Sequence, residues 1–188
     1  MKKCIFALAL VMLLSLSVLA SAENDSVTTG PYKVSFDLGV PHGTYTVTIS
    51  EPKSTESLSG DKSTDYNVEI RNNTGLTNFA FVGIYDHETI QPIPTSSDLE
   101  NIIRNSFVDT QYAYNTYNVE TANRVIDNSN GAIGSADVDV SGFKLKEYQA
   151  GYRPKFDPTH LYVIITSLMP WDEGTLQLLK TIHIEKVK

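Results

Sequence analysis

Asp86-His87-Glu88 is the densest run of titratable side chains in this 188-residue chain. An imidazole between two carboxylates offers ligands suited to zinc or another divalent ion. Adjacent residues on an extended segment, however, point to alternate sides. One such triplet cannot close a coordination sphere, so His42 or His160 would have to approach it in space. A solvated strand end accounts for the same three residues, and ligand geometry favours that account. Asp157-Pro158-Thr159-His160 places an aspartate near a histidine. A catalytic pair of this kind needs a nucleophile in reach, and no serine stands in a G-x-S-x-G elbow. Asp157 is expected instead to bond backbone N–H groups in a turn. Asp137 and Asp139 could supply the paired carboxylates of glycoside hydrolysis. Their alternation with Ala136, Val138 and Val140 is already explained by one solvated face of a strand. His183 falls in the closing apolar segment, where packing or rim exposure accounts for it.

Tyr112, Tyr114 and Tyr117 lie among Gln111, Asn115 and Asn118. Exposed tyrosines beside amides form a platform for a sugar or a protein partner, because each ring joins an apolar face to a polar tip. The competing account packs the three rings on a sheet edge. The platform reading requires Tyr112 and Tyr114 to be exposed and adjacent.

The start of the chain has the three-part layout of a secretory signal. Lys2 and Lys3 supply positive charge, Ile5 to Ala20 is almost wholly apolar, and Ala20-Ser21-Ala22 presents small residues for cleavage. The apolar run is shorter than the ~20 residues of a spanning helix. The expectation is a signal peptide over 1–22 and one exported, soluble α and β domain over 23–188. The only cysteine is Cys4, which leaves with the signal and lies at the wrong end of the apolar run for lipid attachment. Disulfides, thiolate ligands and Cys–His catalysis are thereby excluded from the mature chain. The formal net charge is −7, and loss of Lys2 and Lys3 leaves 13 basic against 22 acidic side chains. That balance opposes binding to nucleic acid or anionic membrane. Asn24-Asp25-Ser26 and Asn72-Asn73-Thr74 match glycosylation acceptors and indicate exposed segments. No motif calls for a cofactor, and none bears on oligomeric state.

The positioning elements follow from periodicity. Glu23 to Gly30 is polar and reads as a frayed start. Tyr32, Val34, Phe36 and Leu38 alternate with polar residues, as do Tyr45, Val47 and Ile49, which predicts two strands. The short turn Gly39 to Gly43 between them predicts a hairpin. Glu51 to Thr64 has almost no apolar content and reads as a mobile loop. Tyr66, Val68 and Ile70 predict a third strand. Phe79 to Tyr85 and Leu161 to Thr166 are apolar enough to be central strands covered on both faces.

A first helix is expected after Thr95, Ser96 or Ser97, with Leu99, Ile102, Ile103 and Phe107 on one stripe. A second is expected after Pro170, with Trp171, Thr175, Leu178, Leu179 and Ile182 on its stripe. Val119 to Ile126 and Ala136 to Val140 predict strands about a turn at Asn128 to Gly131. Phe143 to Tyr152 predicts another, with a bulge where its apolar phase shifts between Leu145 and Tyr148. Strands and helices do not alternate regularly, which points to an α+β fold with a largely antiparallel sheet and helices packed on it.

Phe143 to Arg153, Leu161 to Thr166, and Trp171-Asp172-Glu173 through Leu178-Leu179-Lys180 resemble the closing strands and helix of the PsbP-like proteins. The resemblance covers about a third of the chain; Glu51 to Tyr117 shows no family pattern. It implies an α-β-α sandwich and a non-enzymatic accessory or binding domain, and it transfers no functional residue. The resulting expectation is a non-catalytic binding or accessory domain that recognises a protein or cell-envelope ligand. The alternative is an envelope hydrolase or metal-binding protein built on Asp86, His87 and His160.

Overall fold

The computed structural model describes residues 25–57, 60–73, 79–110, 115–168 and 172–187. The described residues form a three-stranded sheet, an eight-stranded sheet and two helices. In the small sheet, β2 (Tyr32–Phe36) lies between β1 (Asp25–Thr29) and β11 (His183–Lys186). The large sheet runs β3 (Tyr45–Ile49), β5 (Lys62–Asn72), β6 (Phe79–His87), β10 (Leu161–Leu168), β9 (Phe143–Tyr152), β8 (Ser129–Val140) and β7 (Asn115–Ile126). β4 (Lys53–Glu56) also pairs with β5. Every one of these pairings is antiparallel.

Alternation explains the main core. Tyr32, Val34 and Phe36 of β2 and Ile184 of β11 are buried together with Val68, Ile70, Val82, Ile84, Val163 and Ile165 of the large sheet. Leu178, Leu179 and Ile182, from α2 (Asp172–Thr181) and the residue after it, join the same core. A smaller core lies under α1 (Ser96–Thr110), where Leu99, Ile103 and Phe107 meet Ala132 and Ala136 of β8. Small residues make this close approach possible. A Cβ at Gly134 would stand 2.6 Å from the Phe107 ring and 2.7 Å from Ile103.

The expected α-β-α sandwich is overturned: the fold is β-rich. A three-stranded sheet, with the short α2, occupies the side where a helical layer was expected. α1 packs on the other side of the large sheet over β7, β8 and β9. The Tyr32–Phe36 strand therefore does not pair with Tyr45–Ile49; both flanks of β2 are taken by β1 and β11. Residues 25–29 are a paired strand and not a frayed start. Residues 53–56 likewise pair along β5, where a loop was expected. The register of β9 against β8 is unbroken from Gly131↔Tyr152 to Val140↔Phe143. The irregularity falls in β7, between Tyr117 and Glu120.

Candidate functional site: a cleft around Arg153

β6 ends at His87, and the chain then runs irregularly to α1 through Ile90-Gln91-Pro92-Ile93-Pro94. Pro92 and Pro94 have no N–H to give a ladder. The segment is fastened instead by neighbouring backbone: His87 N–H donates to the His160 carbonyl at 2.9 Å, and Gln91 N–H to that of Thr159 at 2.8 Å. Thr95 then caps α1. Its Oγ1 accepts from Asp98 N–H at 3.2 Å, while the Asp98 carboxylate accepts from Thr95 N–H at 2.8 Å. This reciprocal pair satisfies helix-end donors. The Thr95 hydroxyl, donating to the same carboxylate at 2.7 Å, and then the Thr95 N–H hold the Asp98 carboxyl below the usual carboxylate range.

Facing this segment, β9 runs into the turn Arg153-Pro154-Lys155-Phe156-Asp157-Pro158 that leads to β10. Arg153 is half-buried. Its Nη1 donates to the carbonyls of Pro158 at 3.2 Å and Leu161 at 3.4 Å. Its Cζ stands 5.6 Å from the centre of the Tyr162 ring, within cation–π range. Among the described residues its buried Nε has no hydrogen-bond partner, and no carboxylate pairs with it. Burial works against its charge. Tyr162 Oη is also buried and has no partner among the described residues. Burial, reinforced by Tyr85 and opposed by Arg153, leaves the Tyr162 phenol pushed up to about 12. Gly151 makes room for that phenol, because a Cβ there would lie 2.5 Å from it.

Two adjoining cavities open here. One, of about 570 Å³, has Thr95, Ser96, Ser129, Asn130, Arg153 and Lys155 among its lining residues. The other, of about 360 Å³, is bordered by Pro92, Asp98, Ile102 and Tyr162. Ile93, Pro94 and Arg153 belong to both. Volumes of this size suit small ligands or a few residues of a peptide.

The residues singled out from sequence lie elsewhere. Asp86 Oδ2 accepts the hydroxyl of buried Tyr32 at 2.6 Å, at the seam between the sheets. Burial first, and Asp86 next, push the Tyr32 phenol up. His87 is half-buried; burial and nearby Arg153 disfavour its protonation. Glu88 is exposed. His160 Nδ1 lies 2.8 Å from Asp157 Oδ1. His42 lies 3.3 Å from Asp25, next to Tyr45. Tyr45 is opposite Asn72 and Asp86 opposite Thr64 on β5. At ~3.3 Å per residue, that separates His42's end of the strand from Asp86 by about 26 Å. The backbones of His87 and His160 are thus brought together, and His42 is not. Among the described residues no three His, Cys, Asp or Glu side chains are grouped to hold a metal.

Asp137 accepts from Asn118 at 2.8 Å, and Asp139 from the Gly142 N–H of its own hairpin turn at 2.8 Å. His183 pairs with Asp127 at 2.7 Å. Tyr117 is half-buried on β7, while Tyr112 and Tyr114 fall outside the described residues, as does the expected signal segment 1–22. Among the described residues no helix is long and apolar enough to cross a membrane. From sequence alone, Arg153, Lys155 and Tyr162 received no functional role. The Pro-Ile run at 90–94 and the Arg-Pro-Lys step at 153–155 were the signals that could have drawn attention to the cleft. No protein-family model matches this chain, and no curated protein matches it.

Proposed function

We propose that this chain is an exported, non-catalytic binding domain that recognises a protein or cell-envelope ligand through the cleft around Arg153. The carrying observation is a half-buried guanidinium that has no carboxylate partner among the described residues, set where two cavities meet. A desolvated charge lacking a counter-ion is costly to the free protein and is relieved by a ligand that supplies one. The cleft also keeps apolar side chains in water: Ile93 is 61% exposed and Ile102 43%. Clustered exposed apolar groups beside an arginine are characteristic of recognition surfaces. Export rests on the layout of Met1 to Ala22, and the acidic balance of the chain supports a partner other than nucleic acid.

The hydrolase or metal reading has less support. Asp86 and His87 leave opposite faces of β6, and neither cavity is bordered by Asp86, His87 or His160.

Site-specific photo-crosslinking tests the proposal. A benzophenone side chain at position 93 is expected to label one envelope or secreted component, competed by excess unmodified protein. The same group at position 125, which is exposed on β7, is expected to label none. Equal labelling from both positions, or none from 93, would refute the cleft as the binding surface.

A further inference from the structure

The larger cavity has a basic lining. Its charged residues are Arg153 and Lys155, and among the described residues no Asp or Glu borders it. This is a local reversal in a chain that carries 22 acidic side chains against 15 basic ones. Ser96 and Asn130 add polar groups at its wall, while Ile93, Pro94, Leu99 and Pro158 add apolar ones. The smaller cavity continues this apolar surface past Ile93 and Pro92 to Ile102 and Tyr162. Among the described residues its one carboxylate is that of Asp98, already committed to Thr95 N–H and the Thr95 hydroxyl.

We propose that the cleft binds a monoanionic carboxylate carrying an apolar substituent, with the carboxylate at Arg153 and Lys155 and the substituent along Ile93 and Ile102. This deepens the binding-domain reading and rests on it. A guanidinium offers a planar fork that matches a carboxylate. Here one nitrogen of that fork is anchored to two carbonyls, which fixes the direction of the group before a ligand arrives. Such pre-positioning lowers the ordering cost of binding. A monoanion is favoured over a phosphate dianion. The first turn of α1 already holds its own carboxylate, Asp98, which repels a dianion about twice as strongly as a monoanion. The apolar part follows from the exposed isoleucines, whose cover removes hydrocarbon from water.

The test uses the full chain, calorimetry and methyl NMR with defined probes. Acetyl-Ala-Leu with a free carboxyl terminus is compared with its terminal amide and with inorganic phosphate. The free acid is expected to bind at least tenfold more tightly than the amide and more tightly than phosphate, and to shift the Ile93 and Ile102 methyl signals. Arg153→Gln should abolish the preference for the acid. Arg153→Lys should lose most of it, because a point charge lacks the fork. Lys155→Gln, at an exposed position where misfolding is not a concern, should weaken the acid severalfold and leave the amide unchanged.

Equal affinity for acid and amide, tighter binding of phosphate, or shifts confined to residues outside the cleft would each overturn the inference. These results leave the binding-domain reading standing when position 93 still crosslinks a partner. Loss of that crosslink as well removes both.

Discussion

Replacing Asp127 with asparagine tests how the two sheets are held together at one end. Asp127 and Asn128 form the two-residue turn between β7 and β8, at φ of 48° and 56°. Asparagine tolerates that left-handed conformation, so the substitution spares the turn and acts on the carboxylate. Asp127 Oδ2 accepts from the Ile184 N–H of β11 at 3.0 Å and from the Tyr152 hydroxyl at 3.4 Å. Oδ1 faces His183 Nδ1 at 2.7 Å, where the Asp127 side chain is 6% exposed and that of His183 55%. A hydrogen bond to a buried charged group contributes about 1.5–3 kcal/mol. The His183 pair is solvent-screened and adds at most about 1 kcal/mol. An amide retains one acceptor oxygen and turns two N–H donors toward a place that supplied only donors. Asp127→Asn is therefore expected to cost about 2 kcal/mol. For a domain of this size that corresponds to a fall of roughly 4–8 °C in Tm. Urea unfolding should show a lower midpoint with an unchanged slope. Asp127→Ala should cost more, through the added left-handed strain. A change below about 0.5 kcal/mol for Asp127→Asn would refute the idea that this carboxylate clamps β11 to the large sheet.

Two further outcomes follow from buried groups. Glu147 is buried under α1 beside Gln149, whose Nε2 donates to it at 2.7 Å, and Gln149 in turn accepts from Ser106 of α1. Burial raises the Glu147 carboxyl above its ordinary value of 4.5. The folded state thus keeps a proton that the unfolded chain has released, so stability falls as pH rises from the unfolded value through the folded one. Glu147→Gln should stabilise the protein at neutral pH, with the gain fading as pH falls toward 4.5 and gone below it; a gain that stays constant in urea titrations from neutral pH down to that value would contradict the assignment. Gly134→Val should be destabilising by about 1–3 kcal/mol, as overpacking is, because its side chain would enter the space of Phe107 and Ile103. Protected amides of α1 should lose hydrogen-exchange protection in that variant, and unchanged protection would count against the packing described.

Where one face of an element meets the core, periodicity makes that element legible. Tyr32-Val34-Phe36, Val68-Ile70 and the stripe of α1 were visible for that reason. β4 was not, because all four of its residues are exposed and only backbone pairing defines it. Sequence proximity also misled at Gly39 to Gly43, which crosses from one sheet to the other where a hairpin was expected. The phase shift in β9 looked like a bulge because Glu147 and Gln149 are polar residues facing a covered surface. The actual irregularity was hidden in Asn118, whose φ is 53°. The cleft was the least legible part. Arg153 stands beside a proline and reads as solvated loop; that no carboxylate among the described residues pairs with it is a fact of tertiary arrangement. Ile102 shared the helical stripe with buried Leu99 and Ile103, yet it faces the cleft at 43% exposure.

Stability and carboxylate binding measured side by side in Arg153→Met test the central claim most directly. Methionine keeps much of the apolar stem, removes a desolvated charge and gives up two carbonyl contacts, so these effects nearly cancel. The account predicts an unfolding free energy within about 1 kcal/mol of the parent together with complete loss of preference for the free acid. A destabilisation beyond about 3 kcal/mol, the cost of breaking a buried structural charge, or undiminished binding of the acid, would contradict it.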